Sequence, residues 1–234
     1  MRLRLPVKPV VVLKMNMTSI HTKKHLGIVY DTVLGVLTNL ACVKQVGVFG
    51  SFATDAWDEW SDIDLFVACD EPVDSGRLIM AEINANIPIL CFRPFSAQEV
   101  PNGRYWFKDH SPFHKLDISF HGQADWLKLV DKHKRGDNSI RCIDCSGGSS
   151  PTGARMFRLE YTSRQKDLFD IMHRVHRYSL ACVRYGTDSE NLSRELAAME
   201  RFMDRNRASV KYDKLAWTVA DRIVEILENS PIYE

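Results

Sequence analysis

A chain of 234 residues with 45% hydrophobic and 26% charged residues has the size and composition of a soluble globular protein with one large or two small domains. The net charge of +1 excludes a broad basic field, so nucleic acid is disfavoured as a partner. No apolar run approaches the roughly 20 residues that span a bilayer, so no membrane partner is expected.

The chain is predicted to begin with a loose leader and then a helix. Two prolines and a lysine interrupt a short apolar run within residues 1–17, and no small-residue cleavage site follows, so a secretory signal is not indicated. From Ser19 to Cys42 apolar residues recur at helical spacing, which predicts an amphipathic helix packed on a sheet. The stretch after it, residues 45–49, predicts the first strand.

The first strand ends at the pair Gly50-Ser51, which is suited to phosphate. Where a strand turns into a helix, the backbone N–H groups of the turn are free to bind an anion. Gly50 lets the backbone approach a ligand closely, and Ser51 adds a hydroxyl donor. Taken alone, a Gly-Ser pair is more often an ordinary turn.

Ten residues, 52–61, separate this turn from a second strand that opens with two carboxylates. Apolar residues alternate there with Asp62 and Asp64, so the two carboxylates share one face of the strand. Side chains two positions apart on a strand lie about 6–7 Å from each other, and two carboxylates at that distance repel unless a cation lies between them. The pair is therefore a candidate site for a divalent metal ion.

Gly50-Ser51, the ten-residue spacer and Asp62-Ile63-Asp64 together resemble the signature of the DNA polymerase β-like nucleotidyltransferase superfamily. The likeness is strongest to small bacterial members, namely the minimal nucleotidyltransferases and those that modify aminoglycoside or lincosamide antibiotics. The resemblance implies an α/β (α+β) nucleotidyltransferase domain with a mixed sheet, two Mg²⁺ ions and a nucleoside triphosphate as co-substrate. It also implies that Gly50 and Ser51 bind the β- and γ-phosphates, while Asp62 and Asp64 hold the metal ions.

In the resembled family a third metal-binding carboxylate lies on a strand beside the first pair. Residues 114–120 predict such a strand, and Asp117 lies on the face opposite its aliphatic residues. Asp62, Asp64 and Asp117 are therefore the expected catalytic and metal-binding residues. Asp109 is the alternative third ligand, disfavoured because it lies in a polar loop.

Three further segments are predicted before that strand. A helix runs from about Asp74 to Asn84, and residues 87–92 form a strand. Residues 94–112 are expected to be irregular, with the aromatic cluster Tyr105-Trp106-Phe107 forming a small core under a loop.

The nucleotidyltransferase domain is predicted to span residues 18–135, followed by a linker over 136–153 that is rich in glycine and serine. The linker contains Cys142-x-x-Cys145. Half of a zinc site and a redox pair are the alternatives for this motif, and a loop without metal is favoured because a partner pair is absent. The scattered cysteines fit a reducing, cytoplasmic environment.

Residues 154–234 predict an all-helical domain for substrate binding or dimerisation. His173-x-x-His176 places two histidines on one helix face, but neighbouring arginines favour a solvated or anion-facing surface over a metal site. Glu160 and Asp167 are candidate general bases by location. The basic residues that could contact phosphate or an acidic substrate are Arg164, Lys166, Arg174 and Arg177.

The predicted function is transfer of a nucleoside monophosphate, with AMP preferred, from a nucleoside triphosphate to a hydroxyl of a small molecule such as an aminoglycoside or lincosamide antibiotic. One alternative is a nucleotidyltransferase of the toxin–antitoxin type, which adenylylates a protein or RNA. A second alternative is a catalytically inactive nucleotide-binding module. A homodimer is left open.

Overall fold

The computed structural model describes residues 22–95, 101–111, 113–136 and 139–145, Gly148, and ten single positions between 166 and 201. The ten single positions are helical, as the sequence predicts for that region. The leader, the candidate bases Glu160 and Asp167, and the extent of the helical domain lie outside the described residues. No helix among the described residues combines the length and the apolar character that crossing a membrane requires.

Between residues 22 and 145 the chain forms three α-helices and six β-strands, numbered here in chain order. They are α1 (Lys23–Asn39), β1 (Val43–Phe49), β2 (Ile63–Cys69), α2 (Pro72–Asn86), β3 (Ile89–Pro94), β4 (Gly103–Phe107), β5 (Lys115–His121), α3 (Gln123–Arg135) and β6 (Ile140–Asp144). A 3₁₀ turn, Gly50–Phe52, follows β1 directly.

The six strands form one mixed sheet in the order β3-β4-β5-β2-β1-β6. β2 and β5 run parallel at the centre of the sheet, and the other neighbouring pairs are antiparallel. A parallel pair needs a long crossover, which α2, β3 and β4 supply here. The predicted mixed sheet is therefore confirmed.

Helices α1 and α2 cover one face of the sheet. Leu26, Val29 and Val33 recur at helical spacing on α1 and are fully buried, and Ile79 and Met80 of α2 join the same core. The opposite face is covered in part by α3, whose Trp126 packs in a small cluster with Ala68 and Phe66 of β2. Since side chains two apart on a strand share a face, Asp64 lies on this second face with Phe66.

Strand β4 lies where the sequence predicts an irregular stretch, so that part of the prediction is wrong. The aromatic cluster 105–107 is buried on this strand rather than under a loop. Tyr105 joins the α1/α2 core, whereas Trp106 points to the opposite face and packs against Phe169. Because both faces are covered, the strand shows no alternation of polar and apolar residues.

Strand β6 lies inside the predicted linker, which is therefore wrong for residues 140–144. This strand pairs with β1 from Gln45–Asp144 to Phe49–Ile140 and extends the domain beyond residue 135. Cys142 is exposed on β6, whereas Cys145 is half-buried against the α1/α2 core. The two cysteines are free thiols in different surroundings, and the motif that contains them belongs to a strand and its end rather than to a loop.

Candidate active site

The three carboxylates predicted from the sequence meet on the face of the sheet that carries α3. Asp64 of β2 and Asp117 of β5 are direct partners in the parallel ladder. Asp62 lies immediately before β2, two positions from Asp64 and therefore on the same face. Asp109, the alternative third ligand, lies in the loop after β4 with a φ of 60°. The structure thus brings Asp62, Asp64 and Asp117 together, and their chemical roles stay predictions.

Two basic side chains of the sheet bind these carboxylates. The Lys115 Nζ lies 2.8 Å from Asp62 Oδ2 and 3.3 Å from Asp117 Oδ2, so its ammonium bridges the two. The Arg104 Nε donates to the same Asp117 oxygen at 3.1 Å. The Lys115 side chain is 9% exposed, which makes this bridge a buried ion pair rather than a surface one.

The pKa values of the carboxyls reflect this arrangement. Burial raises the pKa of Asp64 to about 6, and the charges of Asp117 and Asp62 add to the rise. Burial also raises the pKa of Asp117, against the opposing effect of Lys115 and Arg104. Burial acts in the same direction on Asp62, but His176 and Lys115 outweigh it and hold the pKa of Asp62 below its usual range. Among the described residues Asp64 forms no ion pair, so a cation bound beside it would favour its ionised form.

Part of the C-terminal region also reaches the site. His176 is 3% exposed, and its Nε2 lies 3.3 Å from Asp62 Oδ1. About two helical turns earlier, Phe169 is fully buried with its ring edge-on to Trp106 at 5.1 Å. Of the two surroundings expected for the histidine pair, solvent is wrong for His176, which is buried and instead faces an anion, the Asp62 carboxylate of the site.

The loop before Asp62 is held by its own polar groups. Ser61 Oγ donates to Asp58 Oδ1 at 2.7 Å, and Asp58 Oδ1 also accepts from the backbone N–H of Trp60 at 3.0 Å. The backbone N–H of Asp58 in turn donates to Ser61 Oγ at 3.0 Å. These bonds close the loop on itself, so the chain enters β2 at a defined point and Asp62 is positioned next to Lys115.

Gly50 and Ser51 form the turn at the end of β1, beside the carboxylates. Gly50 has a φ of 63°, in the left-handed region that favours glycine. A Cβ at this position would lie 3.4 Å from Asp64 Oδ2, so the turn is in van der Waals range of that carboxylate. The Ser51 carbonyl accepts from the backbone N–H of Ala56 at 3.0 Å, which fixes the exit of the turn.

We expect Gly50→Ala to lower the free energy of unfolding by about 1–2 kcal/mol, because an L-residue is strained at this φ. Thermal unfolding of the purified protein measures the change. Gly35→Ala is the matched control, since Gly35 lies in α1 and a Cβ there meets nothing within 4 Å. Alanine should raise stability at that helical position by up to about 1 kcal/mol. Equal effects of both substitutions would contradict a specific strain at Gly50.

The carboxylate oxygens at this site fit a hard divalent cation. Asp117 Oδ1 is buried and accepts no hydrogen bond from any described residue, and Asp64 faces it from the neighbouring strand. Carboxylate oxygens are the ligands that Mg²⁺ prefers. Within the described ranges no three His, Cys, Asp or Glu side chains surround a single metal position. Asp62 instead contacts Lys115 and His176. Asp64 and Asp117 are thus the pair whose donors fit the ion.

Sequence reasoning missed Lys115, Arg104 and His176. Lys115 lies two positions before Asp117 on the same strand, so the alternation that selected Asp117 also places Lys115 on its face. Arg104 could be found only once β4 was known, since it is the ladder partner of Asp117. His176 is distant in sequence, and no local pattern indicates its contact with Asp62.

Residues 32–100 match the family model for the nucleotidyltransferase domain. The matched range includes the Gly50-Ser51 turn and both Asp62 and Asp64, and it ends before Asp117. No curated protein matches the chain closely enough to count as a relative. The chain contains a nucleotidyltransferase domain like those of the DNA polymerase β-like superfamily, and the protein is a nucleotidyltransferase.

Proposed function

We propose that the protein transfers a nucleoside monophosphate, with AMP preferred, from a nucleoside triphosphate to a hydroxyl of a small molecule, with Mg²⁺ as cofactor and two ions bound in the active complex. The observation that carries the proposal is the contact between the Gly50 turn and Asp64, which itself faces Asp117. A phosphate-binding turn beside paired carboxylates brings a triphosphate and its metal ions to one position.

The residues of the turn and the carboxylates have separate roles in this proposal. Gly50 and Ser51 hold the β- and γ-phosphates through the backbone N–H groups of the turn. Asp64 and Asp117 hold the metal ions, joined by Asp62 when Lys115 releases it. Bound Mg²⁺ supplies charge neutralisation at the phosphates and lowers the pKa of a bound hydroxyl. Positioning and electrostatics supply most of the catalysis in phosphoryl chemistry, which is what a rigid sheet can provide.

The acceptor needs a second binding surface opposite the sheet, and the described positions Phe169 and His176 support one. Phe169 packs on Trp106, and His176 reaches Asp62, so helical residues lie over the sheet next to the carboxylates. Holding both reactants in line is worth about 7–11 kcal/mol at best. Aminoglycosides and lincosamides are the acceptors that the sequence resemblance implies. A protein or RNA acceptor, as in the toxin–antitoxin enzymes, is the alternative.

The test is pyrophosphate release from each of the four nucleoside triphosphates in the presence of a panel of hydroxyl acceptors. We expect release to need Mg²⁺, to be largest with ATP, and to stop when a chelator removes the ion. Nucleotide binding is followed separately by thermal unfolding, since a ligand that binds only the folded state raises its melting temperature. Absence of any Mg²⁺-dependent response to all four triphosphates would exclude the proposal.

A further inference from the structure

A single row of ladder partners crosses the active face of the sheet. Phe49 of β1 pairs with Asp64 of β2, which pairs with Asp117 of β5. Asp117 pairs in turn with Arg104 of β4, and Arg104 pairs with Arg93 of β3. Direct partners in a ladder project to the same face, so this row has a defined chemical order. The phosphate-binding turn lies at the β1 end, two carboxylates follow, and two arginines lie at the β3 end.

This order separates a leaving-group side from an acceptor side. In phosphoryl chemistry the attacking and leaving oxygens lie roughly in line on opposite sides of the reacting phosphorus. If Gly50 and Ser51 hold the β- and γ-phosphates, pyrophosphate leaves towards β1. The attacking hydroxyl then approaches from β4 and β3, where Arg104 and Arg93 lie. Strands are about 4.8 Å apart, so Arg93 lies about 10 Å along the row from Asp117, within reach of a small acceptor molecule.

Among the described residues, the side chains on the acceptor side are mainly basic and partly exposed. The side chains of Arg93 and Arg104 are 52% and 39% exposed, and like charges on directly opposite positions destabilise a sheet unless an anion lies between them. In the part of the chain that the structure describes, Asp170 is the carboxylate that faces Arg93, at 4.0 Å, the limit of an ion pair. Within the described ranges, Arg104 binds a single oxygen of Asp117. The exposed ring of Phe95 lies 5.9 Å from the Arg104 guanidinium and adds an apolar surface beside it.

Residues from the C-terminal region add to the positive charge there. The pKa of His173 is lowered to about 4, first by burial and then by the nearby charges of Arg104, His176, Arg177 and Lys115. Arg104 and Lys115 belong to the sheet, whereas His176 and Arg177 belong to the helical positions packed on it. Positive charge therefore reaches this side of the site from both the sheet and the helical positions. A polycation such as an aminoglycoside would be repelled from this side, whereas an anion would be attracted.

We propose that the acceptor is an anion, a hydroxyl compound that carries a phosphate or carboxylate group bound by Arg93 and Arg104. This inference rests on the proposed nucleotidyl transfer and assigns its substrate class. Arginine suits the role because its planar guanidinium donates two parallel hydrogen bonds to a phosphate or carboxylate. The phosphate could belong to a small metabolite or to the backbone of an RNA, and the same two arginines would bind either.

The experiment measures transfer of radiolabelled AMP from ATP to acceptors that share hydroxyl groups but differ in charge. The matched pairs are glucose with glucose 6-phosphate and glycerol with glycerol 3-phosphate; tRNA is the macromolecular anion, and kanamycin and lincomycin are the cations. We expect transfer to the phosphorylated member of a pair or to tRNA, which distinguishes the two sources of phosphate. Arg93→Gln should raise the KM for the anionic acceptor about tenfold, the order expected for one charge-assisted hydrogen bond, with kcat unchanged.

Two controls separate acceptor binding from other effects. Arg77→Gln makes the same chemical change on α2, where Arg77 is paired with Asp74, and should leave the KM unchanged. Calorimetric binding of glucose 6-phosphate, without nucleotide, should weaken in Arg93→Gln and recover in part in Arg93→Lys. Transfer to kanamycin or lincomycin but to none of the anions would overturn the inference and leave nucleotidyl transfer standing, as would an unchanged KM in Arg93→Gln. Failure of Mg²⁺ and ATP together to stabilise the wild-type protein would instead remove the proposed function, and this inference with it.

Discussion

Asp64→Asn is expected to reduce nucleotidyl transfer by at least about 10²–10³-fold, the loss typical of removing one group that stabilises charge in the transition state. Asp64 lies between the Gly50 turn and Asp117, and it forms no ion pair with any described residue. In the proposed mechanism its charge binds the metal ion. Asparagine keeps the size of the side chain and removes that charge.

The same substitution should not weaken the fold. Burial and the charges of Asp117 and Asp62 raise the pKa of Asp64 to about 6, so its ionised form is disfavoured in the folded protein without metal. We therefore expect Asp64→Asn to unfold at an equal or higher temperature than the wild type in the presence of a chelator, and to lose most of the stabilisation by Mg²⁺. Thermal unfolding with and without Mg²⁺ measures both effects.

Asp74→Asn provides the matched control for Asp64. Asp74 lies in the first turn of α2, on the face of the sheet opposite the carboxylates, and its side chain is 73% exposed. Activity and the response to Mg²⁺ should be those of the wild type. An Asp64→Asn protein that is stabilised by Mg²⁺ as strongly as the wild type would show that the ion binds elsewhere.

Lys115→Met is expected to lower the free energy of unfolding by roughly 3 kcal/mol, because it leaves two carboxylates without their shared ammonium. The side chains of Asp62 and Asp117 are 25% and 15% exposed, so water replaces the lost contact only in part. For a chain of this size the corresponding fall in Tm is about 6–12 °C. Mg²⁺ should restore more stability to this variant than it adds to the wild type, because it supplies the missing positive charge.

Lys44→Met is the control for Lys115, since it removes an ion pair at a similar distance but in a different environment. Lys44 Nζ lies 2.9 Å from Asp70 Oδ2, and both side chains are largely exposed. Exposed ion pairs contribute little, so the free energy of unfolding should stay nearly unchanged. If Lys115→Met also left the free energy of unfolding unchanged, the bridge between Asp62 and Asp117 would not hold these carboxylates together in solution.

The central part of the site could be predicted from the sequence because its signals are local. The Gly50-Ser51 turn and the carboxylates Asp62 and Asp64 lie within 15 consecutive positions, 50–64. Asp117 follows from the family resemblance, which implies a third carboxylate on a further strand, and from the alternation of side chains along residues 114–120. Both arguments hold before any strand is paired with another.

The rest of the site depends on pairing between distant strands. Arg104 joins the site only through the ladder of β4 with β5, and β4 is buried on both faces, so its sequence lacks the alternation that marks a half-buried strand. His176 reaches Asp62 from a segment more than a hundred positions away in the chain. Such contacts follow from the packing of a whole domain, which no local pattern encodes.

The position of β6 at the edge of the sheet has a consequence for self-association. β6 covers β1 along five pairs of residues, and Arg141 of β6 also binds Tyr30 Oη at 2.8 Å and Asp55 Oδ1 at 3.3 Å. A fragment that ended at residue 135 would turn β1 into an exposed edge strand, a template for pairing with another chain. We expect such a fragment to aggregate, or to capture β6 from an intact copy by strand exchange. The shortest C-terminally truncated fragment in which β6 still covers β1 therefore ends after residue 145.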